Sequence, residues 1–458
     1  MTRIDELTQG NLELTETGVN SVNDIFFQSG EWDELVWHAV FGELEDKKRA
    51  RYIIWESAQS LGVQPSSIND FYVARGKGGV HHDFTVPAMN LRGMAYDMAR
   101  AVFATAVKLN AGAFIVEIAK SEMGYTGQKP EEFAIVMLAG AIREGFKGSV
   151  FIQGDHFQAK AESPGVPMEG EIESIKALST EAIKAGFYNI DIDMSTLVDL
   201  QKDSVGMQQR PNIIYSLEMA RHVRSNQPEN ITISLGGEIG HIGGKNSTVE
   251  DFKAYMDGIL SNWESGMPCL SKVSVQTGTH HGGVVLPDGS LANINVDFNV
   301  LTDISRVARN VYGMGGAVQH GASTLPNDFF AHFPTSETLE IHLATGFQNL
   351  IMDSSNFPQE ILQEMYDWID QEKKDDREEG WSDEQFHYKL RKKAWGQFKK
   401  RCWEIDEATK SRLREELANK FEFLFTSLKV ANTKELVAGA VEPPEIHKKI
   451  EDFCYDEN

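Results

Sequence analysis

The sequence predicts an α/β fold, a (β/α)8 TIM barrel with helical N- and C-terminal extensions. Short apolar runs rich in β-forming residues recur eight times between residues 86 and 345, and helical patterns separate them. Polar side chains collect where these runs end. A doubly wound open sheet would give the same alternation, but its dinucleotide-binding glycine fingerprint is absent after the first run, which continues as MNLRGMAYD.

The eight predicted strands are spaced so that a loop and a helix fit between neighbours. In chain order they are residues 86–90, 113–118, 149–155, 187–193, 231–238, 272–277, 316–320 and 341–345. The intervening apolar spacing is most clearly helical over residues 94–109, 131–145 and 171–186. The sequence therefore predicts a barrel domain over residues 86–355.

Both ends of the chain are predicted to be helical extensions, over residues 1–85 and 356–458. The C-terminal extension contains charged runs at 370–380 and 389–401, which indicate a solvated helix face. Tryptophans lie between these charges and are predicted to dock the helices on a core. They are Trp368, Trp381, Trp395 and Trp403.

The 458 residues carry a formal charge of −24, from 44 basic and 68 acidic side chains. Nucleic acids and anionic membranes attract clustered Lys and Arg, so this balance speaks against both as partners. Three cysteines without a CxxC pair favour neither a disulfide framework nor a cysteine zinc site. We expect a cytoplasmic protein, because the chain shows no signal peptide and no apolar run of about 20 residues.

Reactive side chains lie at the carboxyl ends of the predicted strands, which converge on one face of a barrel. They are Asp155 and His156 at the third strand, Glu238 at the fifth, His281 after the sixth and His320 at the seventh. Three imidazoles and one carboxylate form a zinc-type ligand set that leaves room for substrate. The sequence thus predicts one Zn²⁺, or another divalent metal, bound by His156, Glu238, His281 and His320.

Segments after strands six to eight predict an anion site. Barrels often bind phosphate through backbone N–H groups of the loops that follow their last strands. Residues of suitable type there are Gly282, Gly321, Ser323 and Thr345. Backbone N–H groups need no basic partner, so the negative net charge does not exclude a phosphorylated substrate. Arg92 and Arg143 are available for a second phosphate.

Seven segments between about residues 85 and 355 resemble, in the same order, the motifs of class II (zinc-dependent) fructose-bisphosphate aldolases. They are VPAMNLRGM (86–94), QGDH (153–156), IDMS (192–195), GGEIG (236–240), GTHHGG (278–283), QHGAS (319–323) and EIHLAT (340–345). Each motif is weak alone, but the ordered set is specific to this superfamily.

The resemblance implies zinc-dependent, reversible aldol cleavage of a ketose phosphate. The simplest substrate is fructose 1,6-bisphosphate, which gives dihydroxyacetone phosphate and glyceraldehyde 3-phosphate. Asp155 is implied as the catalytic residue that moves a proton at the C4 hydroxyl. The implied substrate-binding residues are Asn90, Gly282, Gly321, Ser323, His342 and Thr345. Because barrels of this family commonly pair, we also expect a homo-oligomer.

The sequence departs from the family pattern around the substrate. Lys245 and Asn246 occupy the loop where the family carries its acid/base glutamate, and Glu250 lies slightly downstream. All three are candidates for the loop acid/base. In the last motif, His342 replaces the family's substrate-binding Asn, and Gly346 replaces the following Asp. The predicted metal set is complete, whereas the residues that hold the substrate differ.

Two alternative functions stay open, and the departures favour the first of them. A metal-dependent ketose or ketouronate epimerase or isomerase would use the same chemistry on another substrate. A non-catalytic accessory barrel subunit is the third hypothesis, since residues 116–133 (VEIAKSEMGYTGQKPEEF) are similar to a segment of the tagatose-bisphosphate aldolase accessory subunit. The complete ligand set argues against this third hypothesis, because a structural role does not require it.

Overall fold

Eight parallel strands form a closed barrel in the structure, a computed structural model that describes residues 3–15, 18–240, 245–279, 286 and 296–453. The strands are β1 (Val86–Asn90), β2 (Ile115–Ala119), β3 (Gly148–Gln158), β4 (Asn189–Asp193), β5 (Ser234–Glu238), β6 (Lys272–Val275), β7 (Ala317–Gln319) and β8 (Glu340–Leu343). Each strand overlaps one predicted run, so the predicted fold class is confirmed.

Hydrogen bonds run around the whole barrel. Each strand pairs with its sequence neighbours, and the ring closes where β8 pairs in parallel with β1, with His342 beside Ala88. All five residues of β1, β2, β4 and β5 are buried. Parallel strands covered on both faces read as continuous apolar runs, which is why the runs were visible in the sequence.

Helices surround the barrel and continue into both extensions. Their bounds are Arg3–Thr8, Gly30–Phe41, Leu44–Leu61, Asn69–Gly76, Ala95–Lys108, Lys120–Thr126, Pro130–Arg143, Glu171–Ala185, Val205–Asn226, Val249–Leu260, Phe298–Tyr312, His332–Thr335, Thr345–Met352, Gln359–Glu372, Asp383–Leu390, Trp395–Trp403, Glu407–Ser427 and Lys434–Ala438. The helix Phe298–Tyr312 is typical. It buries Leu301, Ile304 and Ala308, one helical stripe, and ends at Gly313 in the left-handed conformation.

The N-terminal extension contains strands that the sequence analysis did not predict. Residues Leu12–Thr15 and Gly18–Ser21 form an antiparallel hairpin. Residues Val63–Ser66 pair in parallel with β3, outside the closed ring. Each of these strands has four residues, which is too short for a period-two pattern to be recognised. A further short hairpin, Ala161–Ser163 with Val166–Pro167, follows β3.

The C-terminal extension is fixed to the loop after β1 by two tryptophans. Gly93 has φ of +78°, and a Cβ there would lie 2.5 Å from the ring of Trp395. Trp403 donates a hydrogen bond from Nε1 to the carbonyl of Gly93. Only glycine fits this close approach, so the extension is held beside the carboxyl end of the barrel. The predicted docking role of the tryptophans is confirmed for these two, which are buried.

The long helix Glu407–Ser427 and the segment after it pack on the outside of the barrel and bond to the segments that precede β1 and β2. This helix packs against the helix Ala95–Lys108. Thr433 accepts hydrogen bonds from the backbone N–H groups of Gly112 and Ala113, and Leu428 accepts one from Thr85. No described helix combines the length and the apolar character needed to cross a membrane.

Replacing Trp395 by Ala should destabilise the protein strongly, because the side chain is fully buried against Gly93. Truncation of such a ring costs about 3–5 kcal/mol of unfolding free energy. Trp368→Ala, at a partly buried tryptophan of the same extension, is the matched control and should cost less than half as much. Urea denaturation followed by circular dichroism measures both. Equal losses for the two variants would contradict the proposed anchor.

Candidate active site

A cleft of about 720 Å³ opens at the carboxyl ends of the barrel strands. It contains every predicted substrate-binding residue within the described part of the chain, together with Asp155 and His156. The predicted residues that line it are Asn90, Asp155, His156, Gly321, Ser323, His342 and Thr345. Glu238 and His320 lie directly behind His156, while His281 and Gly282 lie outside the described residues.

A β-bulge in β3 explains how two successive side chains both reach the cleft. The pairing of β3 with β4 shifts register between Gly154 and Phe157, so that Asp155 and His156 together lie opposite Asp191. His156 has φ of +43°, a left-handed conformation that costs a non-glycine residue about 1–3 kcal/mol. A regular strand would point these two side chains to opposite faces. The bulge redirects one of them, as bulges beside active sites commonly do.

Three of the four predicted metal ligands converge. The Nδ1 of His320 lies 2.6 Å from the Nε2 of His156, and the Nδ1 of His156 lies 3.2 Å from Glu238 Oε2. His320 and Glu238 are 4.0 Å apart and both are buried. Imidazole nitrogens and a carboxylate this close are a donor set that a borderline divalent cation such as Zn²⁺ prefers. By donor type these residues fit the predicted metal. The described contacts use both nitrogens of His156, so the donors that lie within 4.8 Å of one another form two groups, Asp155, His156 and His320 on one side of the ring and His156, Asp193 and Glu238 on the other. The joint role of His156, Glu238 and His320 as ligands of one ion stays a prediction.

Asp193 supports His156, and the sequence analysis gave it no role. Its Oδ2 lies 2.9 Å from His156 Nδ1, and its Oδ1 accepts hydrogen bonds from the N–H and hydroxyl of Ser195. A carboxylate behind a histidine ligand typically fixes the orientation of the ring. The signal was present in the IDMS motif, which places Asp193 and Ser195 at the end of β4.

Glu238 carries a sign of uncompensated negative charge. Burial and the nearby charge of Asp193 raise the pKa of Glu238 to about 7, although His156 opposes the shift. A bound cation would reverse this effect and favour the ionised carboxylate. The electrostatics around His156 are therefore consistent with a site that holds a positive ion.

Asp155 is held between two side chains that favour its charged form. Asn90 donates a hydrogen bond to its Oδ2 at 2.9 Å, and His342 Nδ1 lies 3.0 Å from its Oδ1. Burial alone would raise the pKa of Asp155, but the charges of His156 and His342 and these two hydrogen bonds lower it. The Oδ1 of Asn90 has no hydrogen-bond partner among the described residues, so it is available to a ligand hydroxyl.

A charged network fills the barrel below Asp155. The Nζ of Lys272 lies 2.5 Å from Glu340 Oε1 and 3.0 Å from Asp191 Oδ1, and it also bonds Gln153. His342 connects this network to the cleft, since its Nε2 lies 2.7 Å from Glu340. Neither Lys272 nor Glu340 was a predicted site residue, because charges inside a strand do not reveal which distant strand carries their partners.

A second set of donor atoms lies in this network. Glu117, Asp155, Asp191 and His342 each offer an atom within 4.8 Å of the others. His342, which replaces the family's Asn, therefore contacts carboxylates through both of its ring nitrogens. Its ring also stacks on that of His320, with ring centroids 4.2 Å apart. Replacement of Asn by His changes both the shape and the charge of this end of the cleft.

Gly346, the second departure from the family motif, has a steric reason. A Cβ at this position would collide with the carbonyl oxygen of Ser323. The loop that carries Ser323 therefore approaches the start of the helix Thr345–Met352 more closely than an Asp would allow. Ser323 and Thr345 are brought together on one wall of the cleft, as the predicted anion site requires.

The remaining predicted residues lie apart from the cleft as described. Lys245 and Glu250 are exposed, Asn246 is partly exposed, and Glu250 lies in the first turn of the helix Val249–Leu260. Arg143 pairs with Asp33 on the outer surface of the barrel, whereas Arg92 lines the cleft. The role of Lys245, Asn246 and Glu250 as loop acid/base stays a prediction.

The C-terminal extension forms part of the cleft, which the sequence analysis missed. The lining side chains from this extension are Trp381, Tyr388, Lys389, Leu390, Lys392 and Lys393. The run at 389–401 was expected to be a solvated face, but Arg391 and Lys399 are buried. Its interpretation as a solvated face was therefore wrong for this part. A cationic run in a strongly acidic chain is the sequence feature that could have indicated its place in the cleft.

Comparison with known proteins places this chain in a family. The family model described as fructose-bisphosphate aldolase class-II matches residues 78–411. No curated protein matches the sequence. Similar solved structures include a fructuronate-tagaturonate epimerase, UxaE, from Cohnella laeviribosi, with TM-score 0.52 and 10% identity over 95% of this chain and 90% of that chain.

Two further structures are similar over a smaller share of this chain. A probable tagatose 6 phosphate kinase from Sinorhizobium meliloti 1021 has TM-score 0.51 and 15% identity, over 78% of this chain and 94% of that one. Fructose-bisphosphate aldolase from Campylobacter jejuni has TM-score 0.49 and 16% identity, over 81% and 97%. At such identities the likeness to the epimerase and to the kinase shows the fold alone.

His320→Ala should remove metal from the protein. Zinc affinity is expected to fall by more than about 100-fold, beyond the effect of losing a residue that only supports a ligand. His332→Ala, at an exposed histidine, is the control and should leave metal content unchanged. Elemental analysis of the dialysed full-length protein measures both. Less than about half a zinc ion per wild-type chain would contradict the site and favour the accessory-barrel hypothesis.

Proposed function

The chain belongs to the class II fructose-bisphosphate aldolase family, and we propose that it is a metal-dependent aldolase that cleaves a ketose phosphate. One observation carries the proposal. Asp155, a buried carboxylate held in its charged form, lies 3.7 Å from the Nε2 of His156, beside the converging donors of Glu238 and His320. A proton acceptor next to a candidate metal site is the arrangement that aldol cleavage needs.

The chain's own groups supply the proton chemistry. Asp155 accepts the proton of the C4 hydroxyl as the C3–C4 bond breaks, and returns it in the direction of synthesis. Asn90 and His342 hold the carboxylate in place. A divalent ion held by His156, Glu238 and His320, with His281 as the fourth predicted ligand, would act as a Lewis acid toward the ketose carbonyl.

The proposed substrate is a ketose phosphate, with fructose 1,6-bisphosphate as the simplest candidate. Gly321, Ser323 and Thr345 line the cleft where a phosphate would be held, and Gly282 is the predicted fourth member of this group. Proton transfer at the enediolate carbon is assigned to the loop that carries Lys245, Asn246 and Glu250. A cytoplasmic location and a homo-oligomer remain predictions that accompany this proposal.

A second candidate function is epimerisation of a ketose or ketouronate. Two observations favour it. His342 and Gly346 replace the substrate-binding residues of the family motif, and the fold similarity to an epimerase of fructuronate and tagaturonate extends over 95% of this chain, including both extensions. Retro-aldol cleavage, rotation of the bound aldehyde to present its other carbonyl face, and re-addition would invert a carbinol centre without releasing fragments.

Asp155→Asn should abolish most of the activity of either reaction. Loss of a general base typically lowers kcat by about 100- to 10,000-fold. Asp83→Asn, at an exposed carboxylate that precedes β1, is the matched control and should retain wild-type turnover. Steady-state kinetics on the zinc-loaded enzyme measures both variants. If Asp155→Asn keeps more than about a tenth of the wild-type kcat, Asp155 is not the base.

The nature of the products should separate the two candidate functions. With fructose 1,6-bisphosphate, the aldolase proposal predicts release of dihydroxyacetone phosphate, detected by a coupled reductase assay. With fructuronate, the epimerase alternative predicts an epimeric ketouronate by NMR and no fragments. The aldolase proposal is overturned if neither fructose 1,6-bisphosphate nor any other ketose phosphate releases fragments.

A further inference from the structure

The side chains that line the cleft have a charge opposite to that of the whole protein. Six of them are Lys or Arg and only two, Glu122 and Asp155, are carboxylates. The chain as a whole has 44 basic and 68 acidic residues. Three of the six cations come from the C-terminal extension. A positively charged cleft attracts anions, so this cleft is suited to an anionic ligand.

Three of these six cations are already paired with carboxylates. Arg92 pairs with Glu122, the Nζ of Lys120 lies 2.7 Å from Glu171, and that of Lys393 lies 2.8 Å from Asp376. The other three form no ion pair with any described residue. They are Lys160, Lys389 and Lys392. Lys389 lies over the ring of Trp381, with its Nζ 4.5 Å from the centroid.

Lys392 differs from the other two because it and Arg92 lie over the same aromatic ring, that of Tyr125. Both cations lie 5.9 Å from the centroid of Tyr125, and all three residues line the cleft. Lys392 is exposed at the cleft wall, yet partial desolvation and the charge of Arg92 lower its pKa, and Glu122 opposes this shift. An anion between the two cations would relieve this repulsion.

Polar atoms without partners surround the same place. Within the described residues, the Nε of Arg92 and the hydroxyl of Tyr125 are buried and make no hydrogen bond. The Nη2 of Arg92 lies 3.5 Å from the hydroxyl of Thr345, which belongs to the predicted phosphate wall. Buried donors are rarely left unsatisfied, so this place suits a ligand with acceptor oxygens.

The backbone on both sides of Lys392 is firmly held. Arg391 is buried and donates hydrogen bonds to both carboxylate oxygens of Asp353 and to Asn349. On the other side, a Cβ at Gly396 would lie 2.5 Å from the carbonyl oxygen of Tyr125. This contact fixes the helix Trp395–Trp403 against the helix Lys120–Thr126. Lys392 is thus presented to the cleft from a rigid support, as precise recognition requires.

We propose that Lys392, together with Arg92 and Tyr125, binds the terminal anionic group of the sugar substrate, a phosphate or a carboxylate. The C-terminal extension is therefore part of the substrate site. The identity of the ligand as a sugar rests on the proposed function, whereas the anion site itself rests on the contacts of Arg92, Tyr125 and Lys392. It assigns substrate recognition to a segment outside the barrel, beyond the wall formed by Ser323 and Thr345.

Calorimetric titration of the zinc-loaded, full-length protein tests the proposal without requiring turnover. The probes are inorganic phosphate, fructose 6-phosphate, fructuronate and the neutral sugar fructose. Wild-type protein should bind an anionic sugar more tightly than fructose. Lys392→Met should weaken that binding about 10- to 100-fold, the effect of one charge-assisted hydrogen bond, and leave fructose binding unchanged. A larger loss for fructose 6-phosphate identifies a phosphate site, and a larger loss for fructuronate identifies a carboxylate site.

Matched controls separate recognition from general damage. Lys400→Met changes an exposed lysine of the helix Trp395–Trp403 outside the cleft lining and should bind as wild type does. Lys392→Arg should restore most of the affinity. The proposal is overturned if wild-type protein shows no preference for anionic sugars, or if Lys392→Met behaves like Lys400→Met. Anion binding without turnover would contradict the proposed function and leave this site standing.

Discussion

Buried negative charge is the constraint around which this barrel is organised. Six carboxylates are buried inside it or at its carboxyl end, on five of its eight strands. They are Glu117, Asp155, Asp191, Asp193, Glu238 and Glu340. Removing one carboxylate from water costs several kcal/mol unless positive charge and hydrogen bonds compensate. Lys272 compensates Asp191 and Glu340 from within the barrel, and His342 bridges these to Asp155. The carboxylates near His156 lack an equivalent lysine among the described residues, which is why a divalent cation suits that position.

Compensation of buried charge also determines which side chains line the cleft. Arg92 balances Glu122, and the extension adds lysines where no further carboxylate lines the wall. The cleft is thus negative at its base, where a metal and a proton acceptor are expected, and positive at its rim. The tryptophan contacts at Gly93 fix the rim relative to the base, because Asn90 and Arg92 lie in the same short segment. The appended helices therefore form part of the cleft wall and do not serve stability alone.

Sequence patterns predicted strand positions and strand-end residues well, because buried parallel strands and polar ends are local features. His156, Glu238 and His320 could be grouped in this way before any coordinates were known. The partners of Lys272 could not, since Asp191 and Glu340 lie 81 and 68 residues away. The bulge at His156 was also invisible, because nothing in the letters GDH requires a left-handed residue. The lysines at 389–393 were misjudged because composition alone does not show which face of a helix meets the barrel.

The central claim is that one divalent ion binds between His156, Glu238 and His320, next to Asp155. Anomalous diffraction at the zinc edge from crystals of the zinc-loaded protein tests it most directly. The account predicts one strong peak about 2.0–2.2 Å from the nitrogen atoms of His156 and His320 and an oxygen of Glu238. A peak among Glu117, Asp155, Asp191 and His342 instead, or no peak, would contradict it.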